Sequence, residues 1–327
     1  MAGVGPAVIH HPAVSGHAGE DRQRGHLVVI SWNTNVGGGD LDGLLRDLRG
    51  GTLTGGEDTP HFVVLLQEVF RTGVEVPRGD AERPRRIAPA SSHARTDIVT
   101  LAERHGLHLF YVPSMANGWR AGNASGEDRG NAILSSLPLS DFMAIELPFE
   151  GQRRVAVSAR IHPVGVHGQV IPWRLASVHL DNRSSFARLH RSLGSGRTRQ
   201  ARALAMALSA DANREQLPTI VGGDLNTWAP AAWEGAESLL RAQFPHAERV
   251  QGPTYAGANL GLGRTLDHLM IRLPDPRHAA HATPSAGPAD SPAGAAPSTS
   301  DVTSPVRLAD SRGSDHYPLF TRLTLAH

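Results

Sequence analysis

The feature that most constrains the fold is a series of short apolar runs, each closed by a polar cluster. Residues 27–31, 62–66, 131–135, 155–161, 175–180, 219–222, 268–273 and 318–325 read as strands. Several are apolar at nearly every position, as strands buried on both faces must be. In another, Val155, Val157, Ala159 and Ile161 alternate with smaller or polar residues, which places one face on a core. Helical spacing appears between the runs. Leu41, Leu44, Leu45 and Leu48 share one face, with Asp40 placed to cap and Gly50 to terminate. Ala201, Leu204, Ala205 and Leu208 repeat that spacing, and a further helix covers 96–105 and stops at Gly106. There is no strict β-α-β repeat and no internal repeat. The reading is α/β (α+β), with mixed strands in sheets that pack together under covering helices.

That domain is expected over residues 26–327. Residues 1–25 are rich in Gly, Ala, His and Pro and read as a disordered lead-in. Residues 274–304 are dominated by Pro, Ala, Ser and Thr and read as a mobile insertion, since they cannot offset their own ordering entropy. No transmembrane run of about 18 apolar residues occurs. The lead-in also lacks the apolar core of a secretory signal, so a cytoplasmic location is expected.

Composition acts mainly by exclusion. There is no cysteine, which removes thiol nucleophiles, disulfide frameworks and thiolate-bound zinc. All 32 basic residues are arginine. Schiff-base chemistry, Ser-x-x-Lys hydrolases and phosphate-binding P-loops each need a lysine and are removed too. No Gly-x-Ser-x-Gly elbow is present, so a Ser-His-Asp acyl hydrolase is not indicated.

The chemistry sits at the strand ends, where open α/β folds bind ligands. The clusters are Ser31-Trp32-Asn33-Thr34-Asn35, Gln67-Glu68, His179-Leu180-Asp181-Asn182, Gly222-Gly223-Asp224-Leu225-Asn226, Thr265-Leu266-Asp267-His268 and Gly313-Ser314-Asp315-His316. Singly, each reads equally well as a turn, a cap or a satisfied core residue. Jointly they supply what hydrolysis of a phosphate ester needs. Glu68 and Asp315, with Asn33 near them, suit a hard oxygen-ligated cation. Asp224 is the candidate to orient and deprotonate water, with Asn226 positioning water or phosphate. His179 and His316 can hydrogen-bond non-bridging oxygens or move protons, and Asp267 is the expected partner of His316.

In this order the motifs resemble the endonuclease/exonuclease/phosphatase superfamily, across residues 26–325. The resemblance implies a four-layered α/β sandwich with two central mixed β-sheets, deoxyribonuclease I-like. It also implies a Mg²⁺ requirement, with Mn²⁺ as a substitute, and the roles assigned above. His179 in Ser177-Val178-His179-Leu180 is similar to the branch holding deoxyribonuclease I, sphingomyelinases and deadenylases, and not to the apurinic endonucleases. By the same resemblance, Asn131 in Arg129-Gly130-Asn131 lines the substrate groove.

The expected substrate is a phosphate ester, with nucleic acid among the candidates. Residues 151–214 carry eleven arginines against Asp181 and Asp211. Arg183 and Arg197 are the candidate phosphate contacts, and a solvated arginine-rich loop is the competing account. A phosphodiesterase is the first reading. A phosphomonoesterase or sphingomyelinase-like phospholipase is the second, and a non-catalytic binding protein on the same fold the third.

Overall fold

The computed structural model describes residues 4–13, 25–57, 59, 61–77, 95–118, 125–170, 172–182, 194–215, 217–228, 235–257, 264–274 and 301–325. Within them two mixed sheets lie face to face. The first, eight-stranded sheet contains β1 (Val8–His10), β2 (His26–Asn33), β3 (Phe62–Gly73), β4 (His108–Gly118) and β5 (Gly126–Ser135). The second contains β6 (Ser140–Glu146), β7 (Val155–Ile161), β8 (Trp173–His179), β9 (Thr219–Asp224) and β10 (Asp267–Arg272). The chain then returns to the first sheet as β11 (Asp301–Val302), β12 (Val306–Arg307) and β13 (Leu319–Thr324). The orders are β1-β4-β5-β3-β2-β13-β11, with β12 beside β13, and β10-β9-β8-β7-β6.

Three apolar clusters explain the continuous runs. Leu27, Val29, Val63 and Leu65 of the first sheet meet Val157, Leu175, Ile220 and Leu269 of the second in a core between the sheets. The intervening residues Val28, Ile30, Trp32, Val64 and Leu66 face outward onto helices α1 (Leu41–Arg49) and α2 (Ile98–Arg104). Ala176, Val178, Val221 and Met270 do the same under α3 (Ser195–Glu215) and α4 (Gly235–Gln243). A strand between two apolar layers has no solvent face, so its sequence cannot alternate. The architecture is the expected sandwich of helices, sheet, sheet and helices.

The helix ends follow their sequence signals. Asp40 accepts from Gly43 N at 2.8 Å, and Asp97 accepts from Val99 N and Thr100 N. The N-terminal segment departs from the expected lead-in. Val8–His10 pair with β4, Gly5 N donates to Asp128, and Arg71 donates to the Pro6 carbonyl above a buried Arg71–Asp128 ion pair. Two apolar residues are too few to announce a strand, so the pairing is set by β4 and not by local pattern. Residues 14–24 and 275–300, and with them most of the expected insertion, lie outside the described residues. The insertion's last residues include β11, which pairs with β13.

Two features position the functional end. The pairing of β3 with β5 slips between Leu66 and Val69, and Glu68 there has φ +52°. This β-bulge keeps Gln67 between the sheets, where it donates to Ser177 Oγ at 2.9 Å, yet returns Val69 to the helix-facing core. Glu68 is the extra residue, released from the ladder. The second feature is Gly222-Gly223, which lies within β9 and is no turn. A Cβ on Gly222 would stand 2.7 Å from Ser31 Oγ and 2.8 Å from Leu65, and one on Gly223 only 1.9 Å from the Val178 carbonyl. The glycines are there for close approach between sheets and strands.

Candidate active site

All six motif clusters arrive at one end of the sandwich because of strand direction. β2 and β3 are parallel, as are β8 and β9, so each pair ends together: Asn33 opposite Gln67, and His179 opposite Asp224. β10 runs antiparallel to β9 and begins where β9 ends, placing Asp267 opposite Asp224. His316 precedes β13, and its backbone is fixed by Trp32 Nε1 donating to its carbonyl at 3.0 Å and by Ser314 Oγ accepting from its N–H at 3.1 Å. Ser314 Oγ in turn donates to the Asn33 carbonyl at 2.7 Å.

Asp224 is the centre of the arrangement. It accepts from Asn33 Nδ2 at 3.0 Å across the two sheets and from the Asn226 backbone N–H at 2.8 Å. His179 Nε2 lies 3.4 Å and His316 Nε2 3.7 Å from the same carboxylate. Burial pushes Asp224 up to about 7, against the lowering effect of the His316 charge. Asn226 adopts φ +50°, a conformation asparagine tolerates better than most residues.

The two histidines differ in charge. His316 Nδ1 is 2.7 Å from Asp267 Oδ2. Burial alone would lower its pKa, but the Asp267 and Asp224 carboxylates outweigh burial and push it up to about 10. His179 is held well below the usual histidine range, first by burial and then by the Arg154 and His316 charges. Its Nδ1 lies 3.1 Å from Arg154 Nη1. A guanidinium can only donate, so Nδ1 accepts and the proton sits on Nε2, facing Asp224.

On the other side, Glu68 Oε1 is 3.7 Å from His179 Nδ1. Burial raises the pKa of Asp315, and the neighbouring Glu68 charge raises it further. Two carboxylates that repel each other are oxygen donors of the kind a hard divalent ion takes, whereas Asn33 Oδ1 accepts from the Asn35 N–H at 3.0 Å. Another group of potential ligands is Asp224, Asp267 and His316, whose ligand atoms all lie within 4.8 Å of one another. In that trio His316 Nδ1 is at hydrogen-bond distance from Asp267, which leaves Nε2 as its open ring nitrogen.

The expected substrate contacts fare unevenly. Asn131 is buried, donates to the Val155 carbonyl at 2.8 Å, and lines a small pocket with Glu68, Arg129, Arg154 and His179. Arg197 is buried too, and its Nη1 reaches the Asp181 carbonyl at 3.4 Å, fastening the start of α3 to the segment after β8. Arg183 lies outside the described residues. The excess of arginine is also partly answered from outside the counted window: Arg153 pairs with Glu146, and Arg199 with Glu150.

Three residues escaped the sequence reading. Arg154 is buried, faces the Glu68, Asp181 and Asp224 charges, and leaves Nε and Nη2 without a hydrogen-bond partner. Its only signal was a place just before a strand, shared with Arg153. Trp228 and Tyr255 form a wall beside His316, with ring centroids 5.3 Å apart and Tyr255 5.0 Å from the imidazole. Trp228 stands two positions past Asn226, whereas Tyr255 lies outside every motif and joins through bridges to Arg264 and His316.

Comparison with known proteins bears on the fold and the family. An endonuclease/exonuclease/phosphatase from Beutenbergia cavernae superposes with a TM-score of 0.57 at 19% identity, over 92% of this chain and 72% of that one. The human nocturnin catalytic domain gives 0.46 at 15% identity, over 93% and 96% of the two chains. A mannosyl-6-phosphatase from Bacteroides thetaiotaomicron gives 0.48 at 12%, over 91% and 99%. At 19% identity the first of these speaks to the fold alone. No curated protein matches the sequence. The profile of the Endonuclease/Exonuclease/phosphatase family, however, matches residues 30–316, nearly the whole chain and every motif from Trp32 to His316. The chain belongs to the endonuclease/exonuclease/phosphatase family of hydrolytic phosphoesterases.

Proposed function

We propose that the protein is a Mg²⁺-dependent phosphodiesterase in which Asp224 and His316 handle the protons. The observation that supports this most directly is the meeting at one carboxylate of groups from both sheets: Asn33 at 3.0 Å and the Asp267-bound His316 at 3.7 Å. Glu68 and Asp315, beside Asn33, would hold the divalent ion. When bound, it would neutralise charge on the phosphate and on the departing oxygen. Arg154, whose Nε and Nη2 have no hydrogen-bond partner, would bind non-bridging phosphate oxygens. Asp224 is held by Asn33 and the Asn226 N–H in one orientation, with which it takes the proton from an attacking water. His316, a cation between Asp267 and Asp224, gives its Nε2 proton to the leaving ester oxygen as the phosphorus–oxygen bond breaks. His179, neutral and with Nε2–H toward Asp224, steadies the base and carries no proton through the cycle. The diester preference rests on the likeness of the His179-bearing strand to the diesterase branches.

The full chain assayed with bis(p-nitrophenyl) phosphate, p-nitrophenyl phosphate and supercoiled plasmid, with Mg²⁺, Mn²⁺ or chelator, tests the reading. Metal-dependent turnover favouring the diester is expected, and Glu68→Ala or His316→Ala should lose at least about a hundredfold in kcat. Activity that survives the chelator, or that both variants retain, would overturn it. A preference for the monoester would replace the phosphodiesterase with a phosphomonoesterase, and plasmid nicking would identify nucleic acid as a substrate.

A further inference from the structure

The Asn226 side chain can offer a substrate either its carbonyl oxygen, suited to orienting water, or its N–H, suited to a phosphate oxygen. Its surroundings decide between them. Trp228 Nε1 donates to Asn226 Oδ1 at 3.1 Å, and Asn226 Nδ2 donates to the Leu180 carbonyl at 3.0 Å. An indole nitrogen only donates and a carbonyl oxygen only accepts. Turning the amide over would set N–H against N–H and oxygen against oxygen, losing both bonds at once. This matters because nothing in an amide's shape distinguishes its two ends; only its partners do.

We propose that Trp228 is a positioning residue that locks the Asn226 amide, so that Asn226 presents its second N–H, and not its carbonyl, to the phosphate. The proposal rests on the reading of Asn226 as part of the phosphoesterase site. Trp228 is itself well anchored. Its carbonyl accepts from Arg264 Nη1 at 2.6 Å, its N–H donates to the Asn226 carbonyl at 3.0 Å, and its ring meets Tyr255 edge-on. Tyr255 continues the wall to His316, so the ring that sets the amide belongs to the surface that also carries the imidazole. The Asp224-Leu225-Asn226 turn, closed by the Asn226 N–H on Asp224 Oδ1, gives the amide a fixed base from which to be aimed.

Trp228→Phe keeps a ring against Tyr255 and deletes only the donor. With bis(p-nitrophenyl) phosphate and Mg²⁺, kcat should fall about tenfold, the worth of one hydrogen bond, while KM changes less. The double variant with Asn226→Ala should be no slower than Asn226→Ala alone, because the lock has nothing left to hold. A readout free of turnover is the set of indole N–H resonances in a ¹H–¹⁵N spectrum. The Trp228 signal, identified by its loss in Trp228→Phe, should move in Asn226→Ala. An unmoved signal would overturn the lock, as would a Trp228→Phe enzyme with wild-type kcat or a double variant whose losses simply multiply. Full activity in Asn226→Ala would instead overturn the functional reading beneath it, and the indole spectrum would still report whether the hydrogen bond exists.

Discussion

Asp267→Asn is the sharpest perturbation of the proposed dyad, because it changes charge and little else. The carboxylate is buried, one oxygen accepts from His316 Nδ1 at 2.7 Å, and the other has no hydrogen-bond partner. The backbone N–H of Asp267 is held by Thr254 Oγ1 at 3.0 Å whatever the side chain. An amide can therefore keep its oxygen toward His316 and lose only the negative charge. A hydrogen bond to a charged group contributes roughly 1.5–3 kcal/mol, so if the dyad stabilises the transition state the loss in kcat is roughly 10- to 150-fold. Fold stability should fall by roughly 0.5–2 kcal/mol, the difference between the charge-assisted hydrogen bond and the neutral one that remains. Two measurements test this: kcat from pH 5 to 9 with bis(p-nitrophenyl) phosphate, and the His316 imidazole titration by NMR. The wild-type imidazole should stay protonated through neutral pH, as its pKa near 10 requires, and the variant should lose its proton at lower pH. A variant within threefold of wild-type kcat, with an unchanged titration, would refute the dyad.

Other expectations follow from the same geometry. Arg154→Met removes the guanidinium but keeps an apolar side chain in its buried position; kcat/KM should drop by roughly 30-fold or more, and a saturation curve will show whether affinity or turnover suffers. The proposed ion site predicts that Mg²⁺ raises the melting temperature of the wild-type protein and that Glu68→Gln abolishes the rise, a result calorimetry can read without any substrate. Gly222→Ala drives a methyl against Ser31 and Leu65 at under 3 Å and should cost about 1–3 kcal/mol in urea unfolding. His268 is pushed down to about 4, first by burial, against Glu237 and with the help of Arg241 and Arg249. Its folded pKa lies below its unfolded one, so its contribution is complete above about pH 6.5 and is lost as pH falls toward 4. The loss is at most about 3 kcal/mol, and His268→Gln should flatten that part of the stability profile.

Much of this was legible in the sequence, for a physical reason. Strands buried on both faces leave continuous apolar runs, so their positions and the polar residues ending them could be read directly. Helix α1 announced itself through Asp40, four leucines and Gly50. What escaped depends on contacts distant in sequence. β1 exists only because β4 offers an edge, and β4 itself runs through Pro113, Ser114 and Asn117, an unpromising composition for a strand. Arg154 looked like any other arginine in a chain with no lysine, until its neighbours Glu68, His179 and Asp224 were known. The arginine-rich window exaggerated its own charge, because Glu146 and Glu150 stand just before it. The glycines ahead of Asp224 left a turn open as the competing reading, because pattern alone cannot see a second sheet pressing on the first.

That pressure has a mechanical meaning. Asn33, Glu68 and His316 ride on one sheet, while His179, Asp224, Asp267 and the Arg154 that precedes β7 ride on the other. The groups of the proposed site thus straddle a seam between two plates whose spacing is set where Gly222 lets Ser31 and Leu65 come close. A slip of a few tenths of an ångström along that seam would leave every strand paired and every helix docked, yet part Asp224 from its neighbours. Mild denaturant, pressure or a swollen residue deep between the plates should then silence the enzyme well before it unfolds, making turnover a gauge of how the two plates are aligned.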